Sequence, residues 1–306
     1  MFNESSLITY YALTPIHTGA GSSVSYIDLP VQRERHTSFP MMAGSGLKGV
    51  FRALAKRNWD NDDKINKIFG PENGSEASSC IAFTDAKILL YPVRSVKNIF
   101  AWITCPYILN RLKEDLASAG KNIDNFSIPE LADDSKIIIY SDSKLKIDNS
   151  NVGLEEFVFN VMNSQISLDN IINKIKEFIP ATDTTNNLCK RFAVVSDNVF
   201  ADLVNYAVEV RTRIQIDQTT GTAQNKALFT IEMVPSESVF YNLIFVSDQK
   251  FKSGDQEKNS NDNKSKDNKK VLEMVEELVN NNQVIQVGGD ETIGNGFVKL
   301  KFSKIK

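Results

Sequence analysis

The sequence predicts an α+β fold, on three observations. Short β-prone runs such as Leu7–Leu13 (LITYYAL) and Val239–Val246 alternate with stretches of helical period such as Ser45–Lys56 (SGLKGVFRALAK). The two kinds follow one another irregularly, and the regular β-α-β-α order of a doubly wound parallel sheet is missing. A hydrophobic content of 42% over 306 residues suffices for a large core, yet no run approaches the ~20 apolar residues of a membrane span.

The elements can be justified in order. Leu7–Leu13 is stopped as a strand by Thr14-Pro15, and His17–Gly21 (HTGAG) is a glycine turn. Tyr26–Pro40 holds Pro30 and Pro40 without a helical period and reads as an extended loop. In Ser45–Lys56, Leu47, Val50, Phe51 and Leu54 form one apolar stripe, with Ser45 as the expected N-cap. Strand, loop and half-buried helix in this order open a ferredoxin-like unit. Asp60–Asp63 begins a short helix that ends at Phe69 before Gly70-Pro71, and Ile81–Tyr91 holds two β-like runs around Thr84-Asp85.

Helical period returns in Tyr107–Ala119, Leu168–Phe178 and from Ser196-Asp197 to Ala207, while Lys136–Tyr140 and Glu156–Phe159 read as strands. Val208–Ile216 (VEVRTRIQI) alternates with period two, Asp217–Lys226 is polar and turn-rich, and Leu228–Met233 is again a strand. The pair suggests a long hairpin or projecting arm. Lys252–Lys270 contains no apolar residue and is expected to be a mobile insertion. A helix over Val271–Val279, a strand over Val284–Val287, the glycine loop Gly288–Gly296 (GGDETIGNG) and a strand over Phe297–Phe302 complete the chain. No internal repeat interrupts it; 306 residues allow one large domain or two small ones, and one domain with insertions over 1–306 is expected.

Net charge is −3, so a nucleic-acid surface would have to be a local patch. Cys80, Cys105 and Cys189 are too few and too scattered for a disulfide framework or a zinc cluster, which fits a reducing cytoplasm. The start of the sequence has no basic, then apolar, leader pattern.

Polar chemistry concentrates in Pro15–Gly49, which holds both histidines, His17 and His36. Asp28 lies between Ile27 and Leu29 in the extended loop. With an ordinary pKa of ~3.9 it is a poor general base, suited instead to holding a divalent metal, orienting a ribose hydroxyl or closing a turn. His17 and His36 are candidates for acid–base work or for structural bonds. In an extended loop Arg33 and Arg35 would point the same way, gripping phosphates or pairing with Glu34. Gly44–Lys48 sets a helix N-terminus beside a lysine, an arrangement that favours anions. Lys48, Arg52 and Lys56 follow at four-residue spacing, as an RNA-tracking stripe or a solvated face. Gly288, Gly289, Gly294 and Gly296 permit close approach to a phosphate or to another backbone, or simply make a turn. The dinucleotide fingerprint is excluded because a strand follows the loop, and no Gly-Lys-Ser/Thr is present for a phosphate loop.

Taken together, PIHTGAG, IDLPVQRERHTSFP, GSGLKG and the C-terminal GGDETIGNGF resemble the RAMP superfamily of CRISPR proteins. Within it the pattern is most similar to the backbone subunits of the type III-B effector, the Cmr complex. The first fifty residues and the last twenty carry the likeness most strongly, and Val210–Pro235 moderately. The resemblance implies a ferredoxin-like, RNA-recognition-like palm with insertions and a projecting β-hairpin thumb. It also implies that copies of the chain line up along a guide RNA with other Cmr subunits, and that target RNA is cut once per copy with a divalent metal, usually Mg2+. Asp28 then becomes the residue required for cleavage and a metal ligand. Ser45 and Lys48 face the guide, and the glycine loop supports the same surface. A backbone without cleavage, or a metal-free guide-processing ribonuclease using His17 or His36, are the competing expectations.

Overall fold

The computed structural model describes residues 2–23, 26–71, 78–123, 126–162, 167–217, 219–223, 228–247 and 261–305. In chain order the first half contains β1 (Phe2–Ala12), β2 (Met41–Met42), α1 (Gly44–Asn58), α2 (Asp62–Phe69), β3 (Ile81–Phe83), β4 (Ala86–Arg94), β5 (Phe100–Thr104), α3 (Pro106–Ser118), β6 (Lys136–Ile139) and β7 (Asn151–Leu154). The second half contains β8 (Phe157–Val161), α4 (Asp169–Phe178), α5 (Asp183–Asn186), α6 (Leu188–Arg191), β9 (Phe192–Val194), α7 (Asp197–Tyr206), β10 (Glu209–Arg213), β11 (Phe229–Met233), β12 (Val239–Ser247), α8 (Asn261–Asn281), β13 (Val284–Gln286) and β14 (Phe297–Lys304).

The result is a mixed α+β fold built on a 12-stranded sheet, in the order β13-β14-β1-β12-β4-β5-β9-β6-β8-β7, with β2 on β4 and β3 on β12. Its centre is β14-β1-β12-β4, all antiparallel. The connection from β1 to β4 carries α1 and skips over β12, and the connection from β12 to β14 carries α8 and skips over β1. Strand β1 is covered on both faces: Leu7, Ile8, Tyr10, Tyr11 and Ala12 are buried, and the buried hydroxyls of Ser5 and Thr9 are satisfied by Ala119 O and Phe178 O, each at 2.6 Å. Parallel pairs occur only farther out among the described residues, at β5–β9 and β6–β8. The hairpin β10–β11 forms a separate two-stranded sheet.

Helix α1 buries Leu47, Phe51 and Leu54 of the expected stripe, together with Ala55, while Val50 is only partly buried, and it packs on α2, β3 and α8. Its start corrects the expected N-cap. Ala43 is the N-cap and Ser45 lies inside the helix, exposed. The capping charge comes instead from Asp85, at the break between β3 and β4, whose Oδ1 accepts the Gly44 N–H at 2.7 Å. A full negative charge at a helix N-terminus does there what a local hydroxyl would do more weakly.

The expected insertion at 252–270 divides. Residues 252–260 lie outside the described residues, whereas 261–270 are the first half of α8 and not coil. Extending an existing helix requires only propagation, and the amphipathic Val271–Val279 segment supplies the nucleus. Its Leu272, Val275, Leu278 and Val279 are buried. The apolar run at Phe192–Val195 holds β9, a fully buried strand between β5 and β6.

Candidate functional site

Strand β11 assembles the polar cluster from segments about 200 positions apart in the chain. The extended loop lies along it. The Leu29 N–H donates to Thr230 O at 3.0 Å, and the Glu232 N–H donates to Leu29 O at 3.0 Å. Thr230 and Glu232 are two residues apart and so share a face. Each fastens one end of the loop. Asp28 Oδ2 accepts the Thr230 N–H at 2.7 Å and the Thr230 hydroxyl at 2.9 Å. The Asp28 N–H returns a bond to Thr230 Oγ1 at 3.0 Å. Glu232, itself buried, accepts the Val31 N–H on Oε2 at 2.9 Å and Arg33 Nη2 on Oε1 at 2.5 Å.

Asp28 is exposed, and the Thr230 N–H, then the Thr230 hydroxyl, hold its carboxyl below the usual carboxylate range. An exposed carboxylate of this kind stays ionised and accepts protons poorly, but it can hold a cation or accept a hydroxyl hydrogen. Among the described residues, no group of three or more His, Cys, Asp and Glu forms a metal cluster. A lone carboxylate nevertheless fits the way Mg2+ is commonly held, by one or two carboxylates together with substrate phosphate and water.

His17 and the glycines Gly288, Gly289 and Gly296 serve the frame. His17 is nearly buried and donates from Nδ1 to Glu232 O at 2.8 Å. The glycine loop docks on the same segment, with the Gly289 N–H on His17 O and the Gly296 N–H on Pro15 O, both at 2.8 Å. A Cβ on Gly288 would lie 2.3 Å from His17 O, and one on Gly296 would lie 2.1 Å from Val287 O, both at φ +78°. The close approach these glycines permit is therefore backbone to backbone. Gly294, at φ +82°, faces open space. Arg213 on β10 grips Asp290 of this loop through two nitrogens at 2.9 and 2.7 Å, and Arg211 reaches Asn295 at 3.3 Å.

Two expectations about the basic residues are corrected. Arg33 and Arg35 part company because the chain turns between Arg33 and Pro40, which pair as a β-bridge. Arg33 points inward to Glu232, while Arg35 and His36 sit exposed on the turn. Glu34 pairs with neither arginine beside it. It accepts Arg111 Nη1 of α3 at 2.7 and 2.8 Å, with both side chains about 10% exposed. On α1, the stripe begins as a set of struts and not as a solvated face. Lys48 donates to Ser79 at 2.5 Å, and burial pushes its ammonium pKa down. Arg52 donates to Asn66 at 2.8 Å and to Gly70 O at 3.4 Å.

Sequence reading missed Thr230, Glu232, Arg111, Arg213 and Asp290. The alternation of β11 was the available signal, since it places a hydroxyl and a carboxylate on one face. β10 alternates in the unexpected sense: Arg211 and Arg213 turn toward the glycine loop, and Val210 turns to solvent.

The family model of the RAMP superfamily matches residues 9–299, from β1 into β14. The chain belongs to the RAMP superfamily. Its relatives within that superfamily include the CRISPR system Cmr endoribonuclease Cmr4 of Pyrococcus furiosus, 36% identical over 304 residues that make up 98% of this chain and 96% of that protein. The CMR subunit Cmr4 of Saccharolobus solfataricus is 22% identical over 97% of this chain and 98% of its own length. Among solved structures, oligomeric Cmr4 from Pyrococcus furiosus superposes with a TM-score of 0.73 at 31% identity, covering 99% of each chain. A chain of the type III-B Cmr-beta complex bound to cognate target RNA has the same fold, with a TM-score of 0.73 at 22% identity over 98% of each chain. For this RAMP chain, no helix among the described residues is long and apolar enough to cross a membrane.

Proposed function

We propose that the chain is a backbone subunit of a type III-B CRISPR effector, which binds guide RNA and cleaves the complementary target RNA at regular intervals through Asp28. The 36% identity to a Cmr endoribonuclease over nearly the whole of both chains supports the reading. The observation that carries the site is the ionised, exposed Asp28 carboxylate held at the edge of β11.

On this reading the strand order β14-β1-β12-β4, with its two straddling helices, is the ferredoxin-like palm. The hairpin from β10 to β11 is the thumb. Its Ile214, Ile216 and Leu228 are all more than half exposed and offer apolar surface to unstacked bases. Arg35 and His36, exposed on the turn, and Ser45 at the start of α1 are the groups assigned to RNA. His17, Arg33, Gly288, Gly289 and Gly296 hold the backbone that presents them. Lys48 and Arg52 contribute positive charge beneath that surface while bracing Asn66 of α2, Gly70 and Ser79. Further copies of the chain and other Cmr subunits are the protein partners.

A divalent metal, Mg2+ in the first instance, would bind Asp28 together with the scissile phosphate. When bound, it neutralises charge on the phosphate oxygens. Asp28 supplies one anionic ligand or orients the ribose 2′-hydroxyl, and it moves no proton at neutral pH. One carboxylate is a weak site alone, so the free chain is expected to cut little. In a guide-loaded assembled complex, Asp28→Ala should reduce target cutting at least ~100-fold with target binding unchanged. Full-rate cutting by that complex rules the assignment out.

A further inference from the structure

We propose that Thr230 is a positioning residue of the cleavage site, which clamps one oxygen of Asp28 to the thumb and leaves the other for RNA and metal. The inference rests on the reading of Asp28 given above, and it assigns a role to a residue of the hairpin and not of the catalytic loop.

The geometry is reciprocal. Thr230 gives its N–H and its hydroxyl to Asp28 Oδ2, at 2.7 and 2.9 Å, and its Oγ1 takes the Asp28 N–H at 3.0 Å. The hydroxyl has one hydrogen and two acceptors in reach, Asp28 Oδ2 and Tyr26 O at 3.1 Å. The charged oxygen is the nearer and the stronger acceptor. Backbone and side chain of Asp28 are thus both fixed by one residue, while the Leu29–Ile231 bridge sets the register alongside. Both bonds to the carboxylate fall on Oδ2, and among the described residues Oδ1 receives none.

An exposed Asp on a loop ordinarily samples several rotamers, because its χ2 well is broad. Holding Oδ2 at two points removes that freedom before RNA arrives, which is the form of preorganisation a reacting centre needs. It also ties the carboxylate to the hairpin, since Thr230 faces Thr212 across β10–β11 and Arg213 anchors β10 to Asp290. Displacement of the thumb would therefore be felt at Asp28.

Thr230→Val keeps the shape, the β-branching and the N–H, and removes only the hydroxyl. Thr230→Ser restores it. In the guide-loaded complex, Thr230→Val should slow single-turnover target cutting ~10-fold or more, with target affinity and Tm within error of the parent, and Thr230→Ser should recover most of the rate. Amide hydrogen exchange of the free chain gives a second readout without catalysis. The Asp28 N–H should exchange faster in Thr230→Val and at the parental rate in Thr230→Ser, while the Leu29 N–H, bonded to Thr230 O, keeps its protection. Parental cutting or unchanged Asp28 exchange in Thr230→Val, beside an inactive Asp28→Ala complex, overturns the positioning role alone. Full cutting by Asp28→Ala overturns the assignment on which it rests.

Discussion

Asp28 gains its character from what touches it. Hydrogen bonds to its ionised form lower its pKa, and the same holds for Asp217 at the hairpin turn, whose Oδ1 accepts the N–H groups of Thr220 and Thr219 at 3.0 and 2.7 Å. A carboxyl whose folded pKa is depressed adds stability above its unfolded pKa, and that contribution is lost as pH falls through the folded value. The amide signals of Thr219, Thr220 and Thr230 should therefore follow titrations whose midpoints lie below the ordinary carboxylate pKa of ~3.9. An NMR titration with midpoints at or above ~3.9 would contradict the bonding described for both residues. Asp28 was legible in the sequence as a candidate only through its motif. Its partner was not, because a contact between residues 28 and 230 leaves no trace in local spacing. The partners of Glu34 and Arg33 were not legible for the same reason: pairing within the cluster was one of two open readings, and the fold delivers Arg111 and Glu232 instead.

At the scale of elements, the glycine loop between β13 and β14 is the seam that joins the C-terminal strands to the segment after β1. Its glycines are not equivalent. Gly288 combines φ +78° with a carbonyl 2.3 Å from the missing Cβ, whereas Gly294 has the same backbone sign and open space. Gly294→Ala should cost about 1 kcal/mol of backbone strain. Gly288→Ala should cost roughly 3 kcal/mol or more, because His17 O must move as well. Urea melts of the two variants check this, and equal losses would show that the loop does not dock through Gly288. Strands and helices with a clear period were read correctly in place, including α1, α4 and β10 to β12. What period alone could not show was the direction β10 faces. Its apolar side is normally the buried one, but Arg211 and Arg213 have partners in the glycine loop and so turn inward.

For the whole molecule, the α+β class followed from the irregular order of elements, and a large mixed sheet realises it. The sheet's extent was not legible, since β5, β7 and β9 are short and the β5–β9 and β6–β9 pairings are long-range. The hairpin links the two ends of the chain to the site. It binds the loop after β1 through Thr230 and Glu232, and the loop before β14 through Arg213. On the proposed function, each copy of a repeated subunit presents its own Asp28 carboxylate to its own stretch of RNA. The central claim is that each copy makes one cut with its own Asp28. The most direct measurement is target cutting by complexes assembled from mixtures of parental and Asp28→Ala chains, with every cut resolved on a sequencing gel. The cut positions should stay fixed, and each should fade in proportion to the fraction of Asp28→Ala chain, all vanishing together when only the variant is present. Cuts that persist at full intensity in the complex made only of Asp28→Ala chains would contradict the claim.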